Sequence, residues 1–89
     1  MTKQEFQELY DLLFYGHDVE LTLSGQHYFL EWNKTGIDIF LIHDNTGSKI
    51  SSISKKHRKD TITTLFDFKL DGYNCLNAAY ADIEIVDIE

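Results

Sequence analysis

Between Asp18 and Ile42 the apolar residues fall on every second position, in three successive runs separated by short turn signals. Period two is the pleat of a β-strand, and one apolar face set against one polar face marks strands of an antiparallel sheet. In the first run Val19, Leu21 and Leu23 alternate with Asp18, Glu20 and Thr22. In the second, Tyr28, Leu30 and Trp32 share one face, and His27, Phe29, Glu31 and Asn33 take the other. In the third, Ile37, Ile39 and Leu41 oppose Asp38, Phe40 and Ile42. Ser24-Gly25-Gln26 and Lys34-Thr35-Gly36 supply the intervening turns, and Asp44-Asn45-Thr46-Gly47 predicts a third.

The flanking segments follow another period. Thr2 and Glu5 match a capping box, and Phe6, Leu9, Tyr10 and Leu13 recur at helical spacing up to Gly16, where a left-handed cap is expected. A helix is therefore predicted over about residues 3–15. Beyond the third turn, a short edge strand near 49–53 is expected, with a mobile loop after it. Asp60 is read as the cap of a short helix carrying Ile62, Leu65 and Phe66. Asp71-Gly72 signals a turn, and Asn74 is read as capping a further short helix through Tyr80. The β-branched segment from Asp82 to Glu89 alternates, with a phase slip between Ile85 and Val86 that suggests a bulge or the strand's end.

Residues 1–89 are thus expected to form one α+β domain. Its outline is an antiparallel meander of three to five strands with an N-terminal helix, two short C-terminal helices and a final β-strand. The chain holds no proline, so no element is broken by one. Its one cysteine, Cys75, cannot form an internal disulfide, which suits a reducing compartment. No apolar segment resembles a secretory signal or a membrane span, so a soluble, cytoplasmic protein without a membrane partner is expected.

Charge is unevenly spread. Fifteen carboxylates face eight Lys and Arg, a formal charge of −7, yet Lys55, Lys56, Arg58 and Lys59 hold half of the basic residues. An acidic body repels nucleic-acid phosphate and favours basic partners, while also serving solubility. The basic run is the candidate anion contact; without interleaved aromatics to stack bases, it reads more readily as a solvated loop than as a nucleic-acid site.

Two further groups stand out. Phe29, Phe40 and Ile42 interrupt the otherwise polar second sheet face, and a turn at 33–36 would set Phe29 opposite Phe40. Either a later segment covers them, through Ile50, Ile53 or Phe68, or they form an oligomer or partner contact, a homodimer included. Asp82, Glu84, Asp87 and Glu89 form a candidate acidic partner surface.

Catalytic and metal-binding patterns are missing. His17, His27, His43 and His57 lack ligand spacing, although His27 and His43 could approach each other across adjacent strands. There is no nucleophile elbow and no glycine-rich phosphate loop. Neither a catalytic residue nor a cofactor is expected.

The segments Phe6…Leu13-x-x-Gly16-x-x-Val19-Glu20-Leu21-x-x-x-Gly25-x-x-Tyr28 and Leu65-x-x-x-Lys69-Leu70-Asp71-Gly72-x-x-x-Leu76 cover both ends of the chain. With them it resembles a family of small uncharacterised proteins of low-GC Gram-positive bacteria. The resemblance implies the same helix, hairpin, turn and final strand, and no activity. The function expected from all this is a non-catalytic acidic protein-interaction module of the bacterial cytosol, of the kind phages and mobile elements encode as inhibitors or regulators. The alternatives are a nucleic-acid-associated regulator using residues 55–59 and, last, a small-ligand binder or enzyme.

Overall fold

The computed structural model describes residues 1–70 and 74–89. Helix α1 (Lys3–Phe14) opens on the capping box: the Glu5 amide donates to Thr2 Oγ1 at 3.1 Å, and the Thr2 amide donates to Glu5 Oε1 at 2.9 Å. The Thr2 amide, and after it the Thr2 side chain, holds the Glu5 carboxyl below its ordinary range. The helix ends at Gly16, whose φ of +93° lets the Gly16 amide reach Leu13 O and the His17 amide reach Leu12 O. This is a Schellman closure, and it satisfies two carbonyls the last turn would leave open.

Four strands follow as a meander: β1 (Val19–Leu23), β2 (Gln26–Trp32), β3 (Ile37–His43) and β4 (Thr46–Ile53). Two of the turns contain two residues each, Ser24-Gly25 and Asp44-Asn45, all with left-handed φ, as a tight hairpin requires. The third, residues 33–36, is organised by Asn33, whose side-chain oxygen accepts the Thr35 and Gly36 amides at 2.8 Å each. Gly36 is buried there against β4: a Cβ on it would lie 2.0 Å from the Ile53 carbonyl oxygen. Strand β5 (Ile83–Ile88) returns to the free side of β1, giving the antiparallel order β4-β3-β2-β1-β5. Its phase slip is a bulge, since Glu20 pairs with Asp87 and Leu21 with Ile85, leaving Val86 unmatched.

The middle of the chain departs from expectation. Strand β4 is longer than 49–53, and helix α2 (Arg58–Asp67) begins two residues before Asp60. His57 is its cap residue and forms no side-chain cap bond, while Asp60 lies inside the first turn. The stretch read as a mobile loop is tied down instead. Thr61 Oγ1 accepts the Lys55 amide at 3.1 Å and donates to His57 O at 3.3 Å. A cap placed from sequence at Asp60 competes with this tertiary bonding and loses. The helix expected over 74–80 is a run of turns ending in one 3₁₀ turn, Tyr80–Asp82. So short a segment cannot repay helix nucleation, and the Asn77 amide is drawn to Phe66 O at 2.9 Å instead. The turn expected at Asp71-Gly72 lies outside the described residues.

Both helices pack on one sheet face. Leu9 and Leu13 of α1, with Ile62 and Leu65 of α2, lie fully buried against Val19, Leu21, Leu30, Ile37, Ile39 and Ile83. Phe6 bridges the helices and the 3₁₀ turn, stacking on Phe66 at 4.7 Å and on Tyr80 at 5.6 Å. No helix among the described residues is long and apolar enough to cross a membrane.

Candidate interaction face

Because the core claims one sheet face, alternation sends the intervening residues of all five strands to the other. Register then fixes their order across the sheet. One row runs Asp87, Glu20, Phe29, Phe40, Lys49; the next runs Glu84, Thr22, His27, Ile42, Gly47; a third holds Glu31, Asp38 and Ser52. Phe29 and Phe40 are directly opposed, with ring centroids 6.4 Å apart and planes tilted by 38°. Gly47 leaves room for Ile42 and Phe40 to lean over it, since an added Cβ would sit 3.3 Å from Ile42 Cδ1. The centre of the face is thus an apolar strip of half-buried side chains.

Of the two alternatives left by the sequence, no segment among the described residues closes over it. Ile53 is buried in the core and Phe68 packs against that same core, while Ile50 is exposed on β4. Among the described residues, α1 and α2 pack on the opposite side of the sheet, and neither is available to cover this face.

Charge flanks the strip. Glu20 Oε1 lies 3.5 Å from His27 Nε2, an atom that is inaccessible to solvent and has no hydrogen bond. At the other side Ser52 donates to Asp38 Oδ1 at 2.5 Å, and Lys49 Nζ stands 3.9 Å from Asp38 Oδ2. The Ser52 hydroxyl, then the Asn33 side chain, and finally Lys49 hold the Asp38 carboxyl below its ordinary range, against the opposing effect of burial.

The four acidic residues singled out in the tail separate. Glu84 and Asp87 join the open face, whereas Asp82 lies in the 3₁₀ turn. Glu89 is bound through its backbone to Asp18 by bonds of 3.1 and 2.8 Å. The basic run separates too. Arg58 Nη1 donates to Phe14 O at 2.6 Å, and the guanidinium carbon lies 4.9 Å from the Trp32 ring centroid. That group closes the end of α1 while staying exposed, as do Lys55, Lys56 and Lys59. His27 and His43 do not converge, because His27 pairs with Ile42 and the next residue points to the other face. Among the described residues no cluster of three or more His, Cys, Asp or Glu could hold a metal. Alternation already puts Glu20, Glu31 and Asp38 on this face, whereas Lys49 and Ser52 join it through the register of β4.

Two shallow cavities of about 430 and 490 Å³ run between α1 and β5, and Glu8 lines both. No protein-family model, curated protein or solved structure matches the chain.

Proposed function

We propose that this protein is a non-catalytic interaction module of the bacterial cytosol that binds a basic protein partner through its open sheet face. The observation carrying this reading is the apolar strip of Phe29, Phe40 and Ile42, uncovered among the described residues and bordered by carboxylates. A partner that covers the strip gains apolar burial and an aromatic pair to pack on, the ingredients of an interface hot spot. The surrounding charge selects its sign. Glu20, Glu31, Asp38, Glu84 and Asp87 face Lys49 alone, a net of minus four. A second copy would bring that net charge against itself, whereas Lys or Arg from a partner would be steered in. A nucleic-acid reading draws less support, since Arg58, the one arginine of the basic run, is engaged within the fold.

The test compares immobilised wild-type protein with Phe40→Asp in bacterial lysate at low and high salt, alongside solution mass and circular dichroism of both. A basic protein retained by wild type, released by salt and absent from the folded variant is the expected result. Equal retention on both removes the face from the interaction. A wild-type dimer that becomes monomeric in Phe40→Asp replaces the basic partner with a second copy.

A further inference from the structure

The groove between α1 and β5 and the outer edge of β5 form a second site, and we infer that it takes an extended basic segment of a partner protein as a sixth strand. It lies at the sheet's edge, shares Glu84 and Asp87 with the open face, and needs none of that face's apolar strip. Strand β5 ends the sheet order, so its outer backbone has no strand neighbour among the described residues. The paired backbone bonds between Asp18 and Glu89 set its phase: Glu89 bonds inward, and alternation turns the Ile88 amide outward. That amide donates to the adjacent Asp87 carboxylate at 3.0 Å, a bond that an added strand exchanges for a ladder bond. The bulge adds Val86 to the outer rim, where it is 51% exposed, with Ile88 at 45%.

Edge strands are commonly blunted by lysine or proline. The opposite edge, β4, carries Lys49; β5 carries neither, and its only such devices are the bulge at Val86 and the carboxylates of Glu84 and Asp87. Instead, the groove above β5 has an apolar floor of Ile83, Ile85, Leu12 and Ile88, and Glu8, Asp11 and Glu84 along its walls. No Lys or Arg lines either half; the Met1 ammonium lines the first and donates to Ile83 O at 3.4 Å, so an added strand would pair from Ile85 onward. An added strand would place alternate side chains on that floor while the basic ones met the carboxylates, which is recognition by strand addition. Two copies pairing β5 to β5 would instead oppose like charges, so the occupant is a basic partner.

The probe is a labelled peptide of alternating lysine and valine, followed by fluorescence anisotropy and by amide hydrogen exchange of the protein. Two peptide controls carry N-methyl groups on the residues facing β5, or glutamate in place of lysine. Binding should slow exchange of the Ile85 and Ile88 amides. Either peptide control, or Glu8→Lys in the protein, should weaken binding by about tenfold or more. Phe40→Asp should leave it unchanged, which separates this site from the open face. The inference is overturned by no binding at millimolar peptide, by equal affinity of the N-methylated peptide, or by protection confined to β2 and β3.

Discussion

Replacing Arg58 with alanine should destabilise the fold by about 1–2 kcal/mol without touching the core, and the structure says where that energy resides. Helix α1 has no basic residue in its last turn. Its four terminal carbonyls nonetheless all find donors. Tyr15 bonds to Asp11 O and His17 to Leu12 O; Gly16 and Trp32 Nε1, the latter at 2.9 Å, bond to Leu13 O; Arg58 bonds to Phe14 O. Arg58 thus brings from α2 the cation that the negative end of α1 lacks, worth about 0.3–1 kcal/mol. Its stacking on Trp32 adds about 0.5–1 kcal/mol at an exposed site. Water replaces much of the lost hydrogen bond, so the contributions do not simply add.

The assay is urea unfolding followed by the fluorescence of Trp32, the chain's one tryptophan. With a slope of about 1–1.5 kcal/mol/M, the midpoint should fall by roughly 1 M. Arg58→Lys should recover part of the loss, because an ammonium keeps the charge but not the planar face. A double-mutant cycle with Trp32→Phe, followed by circular dichroism because that substitution removes the fluorophore, should return a coupling of about 0.5 kcal/mol or more. If Arg58→Ala unfolds at the wild-type midpoint, or the cycle shows no coupling, Arg58 is a surface residue and the account of the helix end is wrong.

Other perturbations test other joints. Gly36→Ala drives a methyl into the Ile53 carbonyl and should cost about 3 kcal/mol or more, read from thermal unfolding; a near-wild-type melting temperature would refute the close approach. Thr2→Ala removes the side-chain half of the capping box, the hydroxyl that accepts the Glu5 amide, and should cost about 1 kcal/mol in urea unfolding, with fraying of the first turn visible in amide exchange. Ser52→Ala should destabilise at neutral pH and less so in acid. The Asp38 carboxyl titrates lower folded than unfolded, so its contribution is full above the ordinary carboxylate range and disappears as pH falls through the depressed folded value. Without the Ser52 donor that contribution shrinks. Urea midpoints across the acid range should therefore converge, and parallel curves would show that Ser52 does not act through Asp38.

Local chemistry made α1, the hairpins and the final strand readable from residues alone. A capping box, glycine turns and period-two alternation act over a few residues, so Thr2, Gly16 and the phase slip at Val86 each announced a feature found in the structure. The α+β outline and the pairing of Phe29 with Phe40 followed from the same signals. What tertiary structure alone decided was which groups meet across long sequence separations. Arg58 looked like a member of a basic cluster until packing carried it to the end of α1, 44 residues away. The open face was written in Phe29, Phe40 and Ile42, but its emptiness was not, because occupancy depends on where every other segment finds burial. Alternation assigns a residue to a face; only the packed chain determines whether that face is covered.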